Sequence, residues 1–363
     1  MVRKEPMTPE PIVVAIVLNW NGWADTIECV ESLLRSARLP DHILVCDNGS
    51  QDDSLDRMRE WADGLLVVKS VLGGGARSWA YRPVAKPLPY AEFTSPAELF
   101  SAGQSPRERL IFADLRENLG YAGGNNAGLR YAADHLQAEY IWLLNNDTVI
   151  DRHSLERQLE LAERDRTIGI VGSKLLMYHQ PDTIQALGGG HLLPLIAHDT
   201  QIGRGRKVAS VQNIPFDLDH IVGASLFVRT QALRQAGFID ESYFLYREET
   251  DWCIEMRRHG WRLVCCVGST IWHKEASSLG MRSGLHDYYA LRNMLHLVRK
   301  HHAVTLPTAW LYFLLRAMVP KLARFQFRRI GYVLRAYYDF ARGVRGRCVF
   351  HGGDRPAHAA PRR

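Results

Sequence analysis

The sequence predicts an α/β fold in which a mainly parallel, Rossmann-like sheet is flanked by helices. Continuous apolar segments rich in β-branched residues alternate with segments of helical periodicity, as in sheets covered on both faces. Several of these apolar segments end abruptly in Asn, Asp or Gly, at the position where open α/β sheets bind ligands. The chain has 363 residues, of which 46% are hydrophobic, and this is ample for such a core.

The first two predicted strands show the alternation clearly. Residues 12–18 form one β-branched strand and residues 42–46 form a second, with an amphipathic helix between them. The first strand stops at residues 19–22 (NWNG), and the second stops at residues 47–50 (DNGS). Right-handed crossovers bring the carboxyl ends of such strands to one edge of the sheet, where they border a crevice the size of a nucleotide.

A carboxylate follows another strand of the same kind. The strand at residues 140–144 ends in Asn145, Asn146 and Asp147. Asp147 therefore reaches the ligand-binding edge, where it can hold Mg²⁺ or Mn²⁺, because these cations favour oxygen ligands. A polar turn before a helix accounts for the same residues without a metal.

A glycine-rich segment at residues 117–128 lies between a predicted strand at 110–112 and a helix. Glycines before a helix let backbone amides approach a diphosphate at the positive end of the helix dipole. The spacing does not match GxGxxG, and a loop that enters a helix often needs glycine for its geometry alone.

Two segments, at about 70–110 and 177–219, interrupt this pattern. Both contain a run of three glycines, and the first also contains several prolines. We expect both to be insertions with little regular structure. The glycine run of the first lacks the Lys and hydroxyl residues of a P-loop, so it does not indicate a phosphate site.

Three carboxylates follow the next predicted strand, at residues 220–229. Glu248, Glu249 and Asp251 open a helix, and His273 comes soon afterwards in the chain. The dipole of a helix favours acidic residues in its first turn, which accounts for the charges. It does not explain why these carboxylates and His273 should converge.

The charge and composition of the chain limit the classes of partner and the compartment that suit it. The formal charge of +6 and pI near 9.0 suit an anionic partner, which is nucleic acid, an acidic membrane surface or a phosphorylated small molecule. The six cysteines form no CxxC pair and predict reduced core residues of a cytosolic protein. The first residues contain no apolar signal-peptide region, and no run of about 18 apolar residues predicts a spanning helix.

The C-terminal region, residues 281–363, is predicted to be helical and basic, with a disordered tail. Its arginines are interleaved with apolar and aromatic residues, for example at residues 309–316. This pattern suits a helix in a membrane interface, and it equally suits a helix packed on the domain with a solvated basic face. A nucleic-acid partner is not expected, because no DNA- or RNA-binding signature accompanies the charge.

Five ordered motifs carry a family resemblance. They are LNWNG at Leu18–Gly22, DNGSQDDS at Asp47–Ser54, ENLGYAGGNNAG at Glu117–Gly128, LLNNDT at Leu143–Thr148, and REETDWC at Arg247–Cys253 followed by IWH at 271–273. Together they resemble the inverting family 2 glycosyltransferases of the GT-A fold, particularly the rhamnosyltransferase-like branch that builds surface polysaccharides. The resemblance implies a glycosyltransferase domain over residues 1–280 and continues weakly through residues 287–293.

The resemblance also implies a binding site for a nucleotide-diphosphate sugar of the UDP or dTDP type. The implied donor-binding residues are Leu18, Asn19, Asn21, Asp47, Asn48, Ser50, Asn118, Gly120, Gly123, Gly124, Asn125 and Asn146. A divalent metal, Mn²⁺ or Mg²⁺, would be held by Asp147, His273 and Asn145. Asn145 replaces the first acid of the family's DxD-like motif, so the metal depends more on the diphosphate of the donor.

The catalytic base implied by the resemblance is Glu249, with Asp251 as the competing residue. The family commonly has Asp at the position of Glu249, whose carboxylate here reaches one methylene further. The expected reaction is inverting transfer of a sugar, such as rhamnose, to a glycan or lipid-linked acceptor, in the cytoplasm or at the inner face of the cell membrane. The competing hypotheses are a nucleotide-sugar-binding protein without turnover and a nucleotidyltransferase.

Overall fold

The computed structural model describes residues 10–67, 84–101, 103, 105–193, 198–212, 216–275, 283–348 and 350. Its strands are β1 (Val13–Asn19), β2 (His42–Asp47), β3 (Tyr90–Phe93), β4 (Leu110–Asp114), β5 (Tyr140–Asn145), β6 (Thr148–Ile150), β7 (Ile168–Met177), β8 (Gln180–Leu187), β9 (Gly189–Leu193), β10 (His198–Gln201), β11 (Phe216–Asp217), β12 (His220–Ile221), β13 (Ser225–Arg229) and β14 (Arg262–His273). Its helices are α1 (Trp23–Leu34), α2 (Ser54–Ala62), α3 (Pro96–Ser101), α4 (Gly120–Asp134), α5 (Ser154–Arg164), α6 (Thr230–Ala236), α7 (Glu248–Arg258), α8 (Gly284–His301), α9 (Leu306–Ala323) and α10 (Phe327–Ala341).

One large sheet organises the molecule and confirms the predicted α/β fold. Its strand order is β11-β14-β7-β13-β5-β1-β2-β4-β3, with β6 on β14 and β8 on β7. The half from β3 to β5 is parallel, as expected from the alternating elements. β13 enters antiparallel beside β5 and connects this half to β7 and β14.

The strand register brings three polar strand ends together. Asn19 is opposite Asp47 across β1 and β2, and Leu18 is opposite Asn145 across β1 and β5. Because the strands are parallel, these residues lie at the same edge of the sheet. Residues far apart in the sequence therefore become neighbours at the ligand-binding edge.

The core lies on both faces of the sheet. Alternate residues of β1 enter two different apolar clusters: Val13, Ala15 and Val17 join one, and Val14 and Ile16 join the other. All five side chains are fully buried. Complete burial of a Val or Ile side chain contributes about 1.5–3 kcal/mol, so this central strand is a major source of stability.

The glycines of residues 117–128 do not form a loop before the helix, as the sequence suggested, because α4 already begins at Gly120. A Cβ at Gly124 would lie 2.6 Å from Leu18 Cδ1, and one at Gly128 would lie 2.9 Å from Ile16 Cγ2. These glycines therefore allow α4 to pack closely against β1. The physical need is helix-to-strand contact inside the domain.

The expectation of little regular structure in the two insertions is wrong for the described residues. In the first insertion, β3 pairs in parallel with β4 and extends the sheet, and α3 follows it. In the second, β8 pairs with β7, and β9 forms a small antiparallel sheet with β10 and β12. Residues 70–83, 102, 104, 194–197 and 213–215 of these segments lie outside the described part of the chain.

Close backbone approach explains why glycines mislead in the second insertion. Gly189 and Gly190 are the first two residues of β9. A Cβ added at Gly189 would lie within 2 Å of the His220 carbonyl oxygen, and one added at Gly190 would lie within 2 Å of the Thr200 carbonyl oxygen. Only glycine fits where strands approach so closely. A glycine run here marks a strand pairing that periodicity cannot predict.

The C-terminal region is helical, as predicted, and α8, α9 and α10 pack against one another around residues such as Tyr288, Val333 and Phe340. The sequence predicted a disordered tail at the end of this region, and residues 351–363 lie outside the described part of the chain. The helical segment at residues 303–323 is long and apolar enough to cross a membrane by length and composition, and little of it is buried in the protein. This finding differs from the expectation that no helix of the chain could span a membrane.

Candidate functional site

A cavity of about 780 Å³ opens at the carboxyl edge of the parallel half of the sheet. One side, the sheet-edge wall, consists of Leu18, Trp20, Asn48, Asn118, Gly120, Tyr121, Asn145, Asn146 and Asp147. The side named the C-terminal wall consists of Leu285, His286, Tyr289, Arg347, Cys348 and Phe350. Between them lie Gln185, Gln201, Val222, Gly223, Ala224, Phe244, Leu245, Tyr246, Glu248, Glu249, His273 and Glu275.

A buried hydrogen-bond network holds the ends of β1 and β2 together behind the sheet-edge wall. The Asp47 carboxylate accepts from Asn19 Nδ2 at 2.7 Å and from the backbone and hydroxyl of Ser50 at 2.8 and 2.7 Å. Burial raises the pKa of Asp47, and these hydrogen bonds partly offset that rise. Asn19, Asp47 and Ser50 are not among the residues that line the cavity, so their side chains shape the loops that do.

A second network fixes the entry to α4. Asn48 accepts from the Leu119 amide at 3.0 Å and donates to the Gly120 carbonyl at 3.0 Å. The Asn118 side chain accepts from the Gly120 amide at 2.9 Å. Asn48, Asn118 and Gly120 all line the cavity.

The remaining donor-binding candidates lie behind this surface. Gly123, Gly124 and Asn125 are buried in α4. Asn125 Nδ2 donates to the Tyr121 carbonyl at 2.9 Å. Asn21 accepts from the Gln51 amide at 2.7 Å. These four residues are not among those that line the cavity.

Asn146 faces the cavity while its amide group connects β5 to α1. Its Nδ2 lies 3.1 Å from Thr26 Oγ1 and 3.3 Å from both Asn19 Oδ1 and the Gly22 carbonyl. The Asn146 amide nitrogen is therefore used in hydrogen bonds within the protein. The adjacent residues Asn145 and Asp147 also line the cavity. By connecting the end of β5 to α1, these hydrogen bonds of Asn146 help to position Asn145 and Asp147, the metal-binding candidates.

The pair Asp147 and His273 forms a candidate metal site. His273 Nε2 lies 3.1 Å from Asp147 Oδ1, and both side chains are about 10% exposed. β14 ends at His273, where it pairs with Thr148 of β6. Burial lowers the pKa of His273, but the adjacent Asp147 carboxylate outweighs this effect and raises the pKa above its usual value.

The chemistry of this donor set fits a divalent cation. His273 Nδ1 lies 3.0 Å from Gln185 Oε1, an acceptor that fixes the hydrogen on Nδ1 and leaves Nε2 directed at Asp147. The oxygen atoms of the Asp147 carboxylate and the nearby Asn145 amide suit Mn²⁺ or Mg²⁺, and the His273 imidazole adds a nitrogen ligand of the kind that transition metals accept. Gln185 belongs to β8, in the insertion at residues 177–219 for which the sequence predicted little regular structure.

A second cluster with metal-ligand atoms lies elsewhere. Atoms of Asp251, Glu255 and His301 come within 4.8 Å of one another. The Lys300 ammonium lies 2.7 Å from Asp251 and 3.4 Å from Glu255, so a cation of the protein already offsets part of the negative charge of the cluster. This group joins α7 to α8 and is not part of the cavity.

Glu248 and Glu249 begin α7 and both line the cavity, but their surroundings differ. Glu248 is buried, and its Oε2 has no hydrogen-bond partner among the described residues. Burial and the adjacent Glu249 raise the pKa of Glu248 well above its usual value, which favours the neutral form of Glu248. Glu249 is half-buried beside the Gly223 backbone, where a Cβ at Gly223 would lie 3.5 Å from Glu249 Cγ.

A strained backbone segment positions these carboxylates. Phe244, Tyr246 and Arg247 have φ values of 63°, 67° and 79°, in the left-handed region that non-glycine residues rarely adopt. Asn293 of α8 is buried and donates to the carbonyls of Tyr243, Leu245 and Tyr246 at 2.8, 2.7 and 3.1 Å. The helix α8 thus holds the strained segment in place from outside the motif.

Asp251 points away from the cavity. It is buried and accepts hydrogen bonds from Tyr243, Lys300 and His301 at 3.0, 2.7 and 2.7 Å. Burial raises the pKa of Asp251, but the bonds from His301 and Lys300 outweigh burial and lower it below its usual value. The structure therefore places Asp251 in the contact between α7 and α8, whereas Glu249, the other candidate base, lines the cavity.

Sequence reasoning missed several lining residues, and Arg347 is the most informative. It is the only Lys or Arg among the described residues that line the cavity, and it lies 5.9 Å from the Phe244 ring centroid. Its neighbours are anchored: the Gly346 amide donates to the Ser242 carbonyl at 2.6 Å, and the Cys348 amide donates to Tyr289 at 2.9 Å. Nothing in the local sequence distinguishes Arg347 from the other arginines of the basic region.

Comparison of the sequence with known proteins shows which family this chain resembles. A family model described as Glycosyltransferase like family 2 matches residues 97–316, which is more than half of the 363-residue chain. The low-salt glycan biosynthesis hexosyltransferase Agl10 of Haloferax volcanii is 26% identical over 184 residues. That match covers 50% of this chain and 58% of Agl10, so the chain corresponds to little more than half of that relative.

Two solved structures share the fold. GalNAc-T7, solved with UDP, GalNAc and Mn²⁺, has a TM-score of 0.53 at 12% identity over 80% of this chain and 48% of its own. The mannosyltransferase PcManGT of Pyrobaculum calidifontis, solved with GDP-Man and Mn²⁺, has a TM-score of 0.50 at 13% identity over 92% and 88%. The fold is thus the GT-A arrangement that the motifs implied, and the chain belongs to glycosyltransferase-like family 2.

Proposed function

We propose that this protein transfers a sugar from a nucleotide-diphosphate donor to an acceptor hydroxyl with inversion at the anomeric carbon. The observation that carries the proposal is the placement of the Asp147–His273 pair and the Glu248–Glu249 pair on one cavity. A metal-binding pair and a proton acceptor on one cavity suit the single displacement of a diphosphate by a hydroxyl.

The sheet-edge wall is the proposed donor site. Asn48, Asn118 and Gly120 of this wall offer polar groups to the nucleotide. Asp147 and Asn145 of the same wall, together with His273, would hold the divalent metal. A bound Mn²⁺ or Mg²⁺ would neutralise the charge that develops on the leaving diphosphate. Arg347 faces the same space from the opposite wall, and its guanidinium suits a diphosphate oxygen.

Glu249 is the proposed general base. Its carboxylate accepts the proton of the acceptor hydroxyl while the hydroxyl oxygen bonds to the anomeric carbon and the bond from that carbon to the diphosphate oxygen breaks. Burial and the adjacent Glu249 raise the pKa of Glu248 and favour its neutral form, which does not accept this proton. The helix dipole at the start of α7 favours the ionised form of one carboxylate, and we assign that form to Glu249.

The finer assignments follow from the sequence resemblance. They are a UDP- or dTDP-linked hexose or deoxyhexose, such as rhamnose, as the donor, a glycan or lipid-linked acceptor in surface polysaccharide biosynthesis, and a cytoplasmic location. The aromatic and apolar residues of the C-terminal wall, such as Tyr289 and Phe350, suit the stacking and burial of an acceptor.

The test is release of nucleoside diphosphate from UDP-, dTDP- and GDP-sugars with Mn²⁺ or Mg²⁺, for the wild type and for Glu249→Gln and Asp147→Asn. We expect the wild type to turn over one donor. Glu249→Gln should bind that donor without turnover, and Asp147→Asn should lose the metal-dependent turnover. Donor binding without release across a broad acceptor panel would indicate a binding protein. Release of pyrophosphate would indicate a nucleotidyltransferase.

A further inference from the structure

The outer side of α9 and α10 carries an exposed apolar stripe. Phe325, between the two helices, and Phe327, the first residue of α10, are 76% and 66% exposed. Along α9, the exposed residues Leu311, Leu315, Val319 and Leu322 recur every three or four positions and so share one face. The stripe continues on α10 through Leu334 and Tyr338, and we name the whole the α9–α10 face.

Positive charge accompanies this stripe. Residues 303–350 contain nine Arg and Lys residues and one acidic residue, Asp339, which is buried. Residues 1–302 contain 33 basic and 37 acidic residues, so the net charge of +6 arises entirely after residue 302. Arg324, Arg328 and Arg335 are exposed and adjoin the apolar residues. Apolar burial and attraction to negative charge are therefore available on the same surface.

α9 is also tied to its neighbours. Ala309 is buried, Tyr337 of α10 donates to the Trp310 carbonyl at 2.8 Å, and Lys321 forms a 3.2 Å ion pair with Asp287 of α8. A spanning α9 would have to give up these contacts and place Arg316 and Lys321 within the bilayer. The packing therefore favours a helix that lies along a surface.

We propose that the α9–α10 face lies on an anionic membrane surface, with its apolar stripe in the interface and its arginines at the lipid headgroups. Charge decides between this occupant and its competitors. A second copy of the chain would bring two sets of arginines together, and nucleic acid would leave the apolar stripe in water.

The face is structurally continuous with the cavity. The ring centroids of Tyr332, on α10, and Phe350 are 5.1 Å apart. The Tyr332 ring also fills the space in which a Cβ of Gly284 would lie. Phe350 and Leu285 line the C-terminal wall. A chain lying on a bilayer through this face would hold its C-terminal wall close to lipid, where a lipid-linked acceptor is found. Membrane binding itself does not depend on the proposed sugar transfer.

The test is flotation of the full-length protein with vesicles of phosphatidylcholine alone or with about one third phosphatidylglycerol. We expect flotation with the anionic vesicles only, weakened between about 0.1 M and about 0.5 M NaCl. Phe325→Ser/Phe327→Ser and Arg324→Glu/Arg328→Glu should each weaken partitioning at least about tenfold. The matched controls are Leu65→Ser/Val67→Ser, at apolar residues that are 80% and 81% exposed elsewhere, and Arg164→Glu on α5.

Three results would overturn the proposal. The first is equal flotation of the face variants and the controls, because the face would then make no contact with the vesicles. The second is resistance to extraction by alkaline carbonate, which would show that α9 spans the bilayer. The third is a wild-type dimer in light scattering that the face variants dissociate while no variant changes flotation, since a second copy would then cover the face.

Discussion

The two walls of the cavity are built differently. The sheet-edge wall comes from residues at the ends of neighbouring parallel strands and from the start of α4. Its polar side chains bond to the backbone of these short motifs: Asn118 accepts from the Gly120 amide of its own motif, and Asn48 accepts from the Leu119 amide of the neighbouring one. The C-terminal wall comes from α8 and residues 347–350, which reach the cavity only through packing of helices. The first wall is therefore readable in short motifs, and the second depends on contacts between distant segments.

The strained segment at residues 244–247 joins the two walls. Its left-handed residues cost on the order of 1–3 kcal/mol each, and the three hydrogen bonds from Asn293 offset part of that cost. The position of Glu249 is thus set by the C-terminal half of the molecule. The following changes test each side of this comparison.

The largest effect is expected at the adjacent carboxylates. Glu249→Gln should lower kcat about a thousandfold, because loss of a general base typically costs two to four orders of magnitude. Glu248→Gln should lower kcat less than about tenfold, because burial raises the pKa of Glu248 and favours a neutral carboxyl group, which Gln resembles. Steady-state kinetics of the two variants measures this difference, and an equal loss would mean that the pair acts as one unit.

Asn293→Ala should lower kcat about a hundredfold and destabilise the fold by about 2–3 kcal/mol, because it leaves buried carbonyls of the strained segment without a donor. The matched control is Asn126→Ala. Asn126 is also fully buried and exchanges hydrogen bonds with the Ile239 backbone, away from the cavity. Urea denaturation and kcat should show loss of stability in both variants and loss of turnover only in Asn293→Ala.

A smaller effect is expected at Arg347. Arg347→Ala should raise the KM for the donor about tenfold or more, since a hydrogen bond from a charged group is worth about 1.5–3 kcal/mol. Arg345→Ala is the control, because Arg345 donates to Ser242 at 3.0 Å and is not among the residues that line the cavity. Partial recovery in Arg347→Lys would support a role of the charge, and an unchanged KM in all three variants would remove Arg347 from the site.

The smallest effect is expected in the pH dependence of stability. The pKa of Asp251 is lowered by its bonds to His301 and Lys300, so its stabilising contribution is present above its unfolded-state pKa, near 4. That contribution is lost as the pH falls below this value through the folded-state pKa. Urea unfolding from pH 7 to pH 3 should therefore show a weaker acid dependence for Asp251→Asn, and an unchanged slope would mean that Asp251 does not titrate differently on folding.

Particular residues show how far the sequence reaches. The alternation of β-branched strands with amphipathic helices predicted β1, β2 and β5, because full burial on both faces requires that pattern. The strands β3, β8 and β9 were missed, because pairing to a neighbouring strand stabilises them and their own sequences contain little periodicity.

The sequence by itself determined the α/β class, the helical C-terminal region and the residues at the carboxyl ends of the strands. Local chemistry decides these features, because each depends on residues a few positions apart. Only the tertiary structure decided that Glu249 faces the cavity while Asp251 faces α8, that Gln185 orients His273, and that Arg347 completes the opposite wall. These placements depend on packing between segments some 50 to 100 residues apart, and burial, strain and charge pairing exist only after those segments meet.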